Sequence, residues 1–473
     1  MVLRDAESAE RPNIVLVLAD DLGYADPGCY GQTKIHTPNV DRLAAEGVRL
    51  TAHYSASPVC APSRCGLLTG LHTGHAYIRD NDEMPELGDV WNTPSIEGQR
   101  PLPEGTRTIA SVLKDAGYHT AVVGKWGLGG PGSGGAPNRH GFDDSFGYLC
   151  QRQAHNYYPD HLWRNGERVP LDNVYFSAHQ KLPPGKDPND PRSYDAYRGR
   201  QYSFDVMLDE AVAYVRSHRS QPFFLYFAPT IPHVALQVPD DSLEEYAGAF
   251  PETPYLGDKS YLPHRTPRAA YAAMVSRLDR GVGHLVATLK ELGIDRRTLV
   301  VFTSDNGATF NVGGYDPPFF RSNASWRGAK QDLYEGGIRV PLVAWCPGRI
   351  PAGRVRDDAS ASWDLLPTFA QLAGATPPRG VDGVSLWPAL SGGKPIRREC
   401  LYWEFQGKQA VRQDRWKAFR DARKDVFELY DLVANPGETR NVAKEQPEVA
   451  ARLRRLMDTS RVESERYPLV KRG

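Results

Sequence analysis

No apolar run in this 473-residue chain is long enough to span a bilayer, so a transmembrane helix is excluded from the expected architecture. The start, residues 1–11, is polar and charged and has no hydrophobic signal core. The expected location is therefore cytoplasmic, or periplasmic or secreted if a leader has been removed. Net charge is also absent: 57 basic residues face 57 acidic ones, so no global field draws the chain to nucleic acid or a membrane surface. Any anion binding must come from a local cluster. Cysteine is scarce: Cys29, Cys60, Cys65, Cys150, Cys346 and Cys400 show no metal-knuckle spacing and are too sparse for a disulfide framework. There is no internal repeat and no basic stripe of the kind that tracks a nucleic acid backbone.

The length exceeds what one hydrophobic core usually organises, which suggests a large domain and a smaller one. Residues 13–19 (NIVLVLA) form a short apolar run rich in β-branched side chains, the pattern of a strand buried on both faces. Residues 37–47 (TPNVDRLAAEG) have Thr first, Pro second and Gly last, which marks a helix. The alternation continues with helix 109–116, strand 119–123, helix 204–217, strand 223–228, helix 271–292, strand 298–303, strand 340–345 and helix 362–373. Alternating strands and helices argue for an α/β sheet covered on both faces. Beyond about residue 385 the pattern becomes short strands with turns (400–405, 409–412, 416–420, 428–431) and a polar helix at 447–460. The expected division is a main domain over 1–385 and an antiparallel α+β subdomain over 386–473.

Sheets of this kind place ligands at the carboxyl ends of their strands. Asp20-Asp21, Lys125, His233 and Asp305-Asn306 each follow a predicted strand closely, so separate segments converge on one edge. Adjacent carboxylates repel unless a cation neutralises them, and oxygen donors without histidine or thiolate neighbours suit Ca²⁺ better than Zn²⁺. Cys60 stands where the Pro62-Ser63 pair should start a helix, with Arg64 one turn further on. The positive helix end and the fixed cation both favour a thiolate or a bound anion there.

The string C-x-P-S-R-x-x-x-x-T-G from Cys60 to Gly70 resembles the signature of the type I sulfatases. GKWGLG around Lys125, PTIPHVALQVP around His233, RGAKQDLYEGGIRVP around Lys330 and LYDLxxNPGETxNVA over 429–443 match that family in order along nearly the whole chain. The resemblance implies an alkaline-phosphatase-like fold: a large, mixed, mostly parallel sheet flanked by helices, with the smaller C-terminal antiparallel subdomain. It also implies that a maturation enzyme oxidises Cys60 to formylglycine (3-oxoalanine), and that one calcium is held by Asp20, Asp21, residue 60, Asp305 and Asn306. Cys60, Arg64, Lys125, His233 and Lys330 become the catalytic set. In it the hydrated aldehyde attacks sulfur, the cations hold the sulfate and His233 protonates the departing alcohol.

The chain departs from the family at Gly127, where most members have a histidine. Three explanations compete: another histidine (His72, His75, His140 or His155) has taken over, solvent acts more slowly, or turnover is lost. The first is favoured because the rest of the set is present. Residues 148–159 (YLCQRQAHNYYP) are dense in aromatic and hydrogen-bonding side chains, which suits sugar recognition. Gln153, His155 and Asn156, with His161 nearby, are the expected sugar contacts there. His72 and His75, near Arg79, form a second expected wall. The expected partner is a sulfated sugar or oligosaccharide, with galactose or N-acetylgalactosamine sulfate as examples. A phosphonate monoester or phosphodiester hydrolase of the same superfamily, and a non-catalytic binder of sulfated glycans, are the alternatives.

Overall fold

The computed structural model describes residues 11–84 and 97–470; the polar leading segment 1–10 lies outside them. Its centre is strand Asn13–Ala19, buried at every position and lying parallel between Thr298–Ser304 and Phe223–Ala228. Side chains alternate across a strand, so this one feeds two cores. Val15, Val17 and Ala19 pack with Val40 and Leu43 of helix Pro38–Glu46, Met207 of Ser203–Ser217 and Leu278 of Pro267–Glu291. Ile14, Leu16 and Leu18 pack with Leu67 and Leu68 of helix Cys60–Thr69, Leu113 of Ile109–Asp115 and Phe369 of Leu365–Ala373. Both faces are covered, which explains the unbroken apolar run.

From edge to edge the ten-stranded sheet runs Arg354–Arg356, Val48–Leu50, Leu342–Trp345, Thr298–Ser304, Asn13–Ala19, Phe223–Ala228, His119–Lys125, Asp144–Tyr148, His161–Arg164 and Glu167–Pro170. The five strands from Thr298–Ser304 to Asp144–Tyr148 are mutually parallel, and antiparallel pairs flank them. The strand expected over 340–345 starts only at Leu342, because Pro341 has no N–H to donate to a ladder. The outer strands carry no apolar run, and the hairpin 161–170 is half exposed.

Strands Leu401–Phe405, Lys408–Gln413, Trp416–Asp421 and Val426–Asp431 form an antiparallel sheet in sequence order. Helix Pro447–Thr459 covers one face through Leu453 and Met457. The other face, with Leu401, Trp403 and Phe419, packs on Tyr54, Val59 and Trp363 of the main body. Buried Lys417 crosses this contact to Glu335 and also pairs with Glu438 on its own side, 2.9 Å from each. Among the described residues no helix is long and apolar enough to cross a membrane.

Candidate active site

Ala19 and Ser304 are in register on neighbouring parallel strands, so Asp20-Asp21 and Asp305-Asn306 leave the sheet side by side. Asp21, with φ of 60°, turns its N–H onto Asp305 Oδ1 at 3.1 Å, and Asn306 Nδ2 donates to Asp21 Oδ1 at 2.7 Å. Lys125 ends the strand two places along the sheet, and its Nζ reaches Asp20 Oδ2 at 2.6 Å.

Helix Cys60–Thr69 points its N-terminus at this cluster. It is buried all round and ends at Gly70, whose φ of 73° suits glycine. Cys60 Sγ lies 3.6 Å from Asp20 Oδ1 and 3.4 Å from Lys330 Nζ, and Lys330 also reaches Asp21 Oδ2 at 2.8 Å. One turn on, Arg64 donates through Nε and Nη2 to Asp305 Oδ2 (3.1 and 2.8 Å) and through Nη1 to the Lys125 carbonyl (2.6 Å). His233 Nε2 is 3.5 Å from Asp21 Oδ2, and its Nδ1 is bonded to the Val234 carbonyl, which fixes the ring. Tyr157 Oη braces the same loop by donating to the His233 carbonyl. All these side chains are buried.

Three carboxylates thus face three permanent cations out of water. Burial opposes ionisation of Asp20, but the permanent charges of Lys125 and Arg64 hold its carboxyl well below the usual range. Burial wins at Asp305, which is pushed up to about 6 with help from the Asp20 charge, and Asp21 is raised by burial against Lys330. Two of the three acids therefore favour more positive charge than the protein supplies. Asn306 Oδ1 is buried and accepts from no group. Ligand atoms of Asp20, Asp21, Cys60 and His233 lie within 4.8 Å of one another. The carboxylates and an unused amide oxygen fit a hard divalent cation, but contrary to the expected oxygen-only surroundings a thiol and an imidazole stand among them.

The thiolate expected at Cys60 is not supported. Burial pushes its thiol up to about 12 despite Lys125 and Lys330, because desolvation outweighs the helix end and both cations. Burial and the nearby Lys330 charge hold His233 well below the ordinary imidazole value.

The expected sugar contacts separate. His155 stacks on His233, with ring centroids 4.8 Å apart and planes 14° apart, and its Nδ1 is 3.1 Å from His179 Nε2. Asn156 instead holds its own loop, donating to the Phe176 carbonyl at 2.8 Å and accepting from Tyr158 N at 2.9 Å. Gln153 is half-buried on the 3-10 turn Gln153–His155. His72 and His75 are not at the site: they follow the far end of the ten-residue Cys60–Thr69 helix, about 15 Å from residue 60. There they stack on each other at 4.5 Å, and His75 pairs with Asp382 at 2.8 Å. His161 is paired with Glu97 and Asp160, and Arg79 with Glu404. His140 is bonded to the Gly134 carbonyl at 3.0 Å. Of the four histidines considered as replacements at Gly127, only His155 reaches the His233 side of the centre.

The space at Gly127 belongs to Gln151, which sequence reading did not select. A Cβ at Gly127 would meet Gln151 Cγ at 2.9 Å, and the φ of 75° disfavours any side chain there. Gln151 Nε2 donates to Asn81 Oδ1 at 3.3 Å, and the same oxygen accepts from Ala61 N at 2.8 Å, capping the residue 60 helix from outside. Gln151 lies in the run that drew attention to Gln153, but no motif distinguishes the two.

A mostly parallel sheet whose strand ends gather carboxylates, fixed cations and a helix N-terminus around one residue defines a hydrolase of the alkaline phosphatase superfamily. The family model described as Sulfatase matches residues 12–375, and one described as N-sulphoglucosamine sulphohydrolase, C-terminal, matches 326–463. The chain belongs to the sulfatase family and is a sulfuric ester hydrolase. It is 34% identical to N-acetylgalactosamine-6-sulfatase of Canis lupus familiaris over 428 residues, 87% of this chain and 72% of the relative. It is 32% identical to arylsulfatase A of Homo sapiens over 502 residues, 95% of this chain and 87% of the relative. The solved structure of Ps i-CgsB in complex with k-i-k-neocarrahexaose superposes with a TM-score of 0.76 at 29% identity, covering 96% of this chain and 94% of that one.

Proposed function

We propose that this sulfatase hydrolyses a sulfate monoester on a carbohydrate, with formylglycine made from Cys60 as nucleophile and one calcium on Asp20, Asp21, Asp305, Asn306 and residue 60. The observation that carries the reading is residue 60 itself, set between Asp20 and Lys330 and one helical turn from Arg64. The similarity to an N-acetylgalactosamine-6-sulfatase and to an oligosaccharide-bound neighbour supports a sugar substrate.

The hydrated aldehyde supplies a hydroxyl nucleophile, and calcium supplies positive charge beside it. The remaining roles belong to side chains in place. Lys125 and Lys330 flank residue 60 and hold a tetrahedral anion by charge and hydrogen bonds. Arg64 keeps Asp305 ionised and oriented through two donated bonds. Because Nδ1 of His233 is committed to the Val234 carbonyl, Nε2 is the atom that hands a proton to the leaving alcohol. The anionic ester opposes the depression of His233 and favours its protonated form. The test pairs the mass of a peptide covering residue 60 with sulfate release from a panel of sulfated monosaccharides. Formylglycine at 60 with release from a sugar is expected; an unmodified cysteine in fully active protein overturns the nucleophile, and activity on phosphonate or phosphodiester substrates alone overturns the ester class.

A further inference from the structure

The alcohol leaving under His233 must reach Nε2, the edge that also faces Asp21 at 3.5 Å, and the rest of that ring is walled by other rings. His155 stacks on His233, Tyr261 is edge-on to both at 5.2 and 5.8 Å, and His179 is 4.7 Å from Tyr261. Tyr261 is held there by an uncommon backbone. Ser260 and Tyr261 have φ of 61° and 62°, left-handed conformations that disfavour residues with a Cβ. The loop 255–264 over-determines this turn. Its ends are joined by reciprocal Tyr255 and His264 backbone bonds of 2.9 Å, and Tyr255 Oη accepts from Lys259 N at 2.8 Å.

A second loop, 308–313, is tied to the first. Gly313 N donates to the Lys259 carbonyl at 3.1 Å, and Lys259 Nζ donates to Asn311 Oδ1 at 3.0 Å. At its other end Lys330 N donates to the Ala308 carbonyl at 2.9 Å, so the loop is anchored to the sulfate-binding lysine. Between these anchors Phe310 is 43% exposed, whereas the adjacent Thr309 is buried. A single exposed phenylalanine is ordinary on a protein surface. This one sits on a loop braced at both ends against the site, with an ammonium group and a carboxamide beside it.

We infer that loops 255–264 and 308–313 form a subsite for a second sugar unit, next to the one carrying the scissile sulfate. Phe310 offers a face to the C–H side of that pyranose, and Lys259, oriented by Asn311, binds an anionic substituent on it. The inference rests on the carbohydrate reading above, and it makes the enzyme an oligosaccharide sulfatase rather than one indifferent to chain length.

The test uses matched monosaccharides and tetrasaccharides sulfated on N-acetylgalactosamine, glucosamine or galactose, and compares kcat/KM for the pair turned over fastest. In the wild type the tetrasaccharide is preferred. Phe310→Ala and Lys259→Ala each lower the ratio of tetrasaccharide to monosaccharide kcat/KM about tenfold, through KM. The Lys259→Ala effect shrinks when the neighbouring sugar carries no anionic group. A wild-type ratio near one, or variants that leave the ratio unchanged, overturns the subsite while the sulfatase reading stands. Sulfate release from no sugar in the panel overturns the carbohydrate reading and the subsite with it.

Discussion

Replacing Lys330 by methionine keeps the unbranched side chain to within one atom of its length and removes its charge. Lys330 is nearly buried, and its Nζ donates to Asp21 Oδ2 at 2.8 Å and Cys60 Sγ at 3.4 Å. Removing one partner of a buried ion pair leaves an uncompensated charge, which costs about 3–5 kcal/mol of folding stability. A divalent ion on Asp21 supplies part of the missing positive charge, so the loss is expected to be larger in chelator than in calcium. For the chemistry, losing one preorganised donor to the transferring group lowers kcat by roughly 10²–10³, or about 2.7–4 kcal/mol. The interaction strengthens in the transition state, so kcat and kcat/KM fall together. Sulfate release at limiting and saturating substrate reads the second effect, and unfolding with and without chelator reads the first. A raised KM at unchanged kcat would refute the transition-state role. Equal stability of variant and wild type in chelator would refute the ion pair.

The remaining predictions follow from other parts of the same geometry. Cys60→Ala should leave the unfolding midpoint within a few degrees, since the change is small, but abolish sulfate release; residual turnover above about 1% of wild type would remove residue 60 from the mechanism. Gly127→His, which restores the common family residue, is expected to destabilise by about 1–3 kcal/mol, because φ is 75° and Gln151 Cγ stands 2.9 Å from the new Cβ. Adding Gln151→Ala should recover part of that loss, and strict additivity in the double-mutant cycle would contradict the steric explanation. Asp26 is pushed up to about 6 from its ordinary 3.8 by burial, against bonds from Tyr271 Oη (2.6 Å) and Gly23 N (2.8 Å). Its contribution is fully present below 3.8 and is lost as pH rises through about 6, on the order of 2–3 kcal/mol. Asp26→Asn should flatten the dependence of unfolding free energy on pH across that window; an unchanged slope would show that Asp26 titrates normally.

Much of the sheet was legible because its strands are buried on both faces. An unbroken run such as Asn13–Ala19 or Phe223–Ala228 leaves little choice of conformation or environment. The edge strand Arg354–Arg356 and hairpin 161–170 were not legible, because half-exposed strands mix polar and apolar residues and take their register from a neighbour. Asp20-Asp21 and Asp305-Asn306 could be paired in advance, since both follow apolar strands and parallel strands present their carboxyl ends on one edge. His72 and His75 looked near residue 60 because they are near in sequence, yet a helix of ten residues carries the chain away before they appear.

By itself the order of residues determined which segments become strands and helices, and which side chains leave the sheet at its carboxyl edge. Those outcomes depend on local periodicity and on the common direction of parallel strands. Only the tertiary structure decided the charge states and the close fits. An unmodified Cys60 is held as a neutral thiol because burial outweighs two lysines, and Gln151 fills the space that a side chain at Gly127 would need. Desolvation and steric exclusion depend on everything packed around a group, and neighbours distant in sequence supply most of that packing.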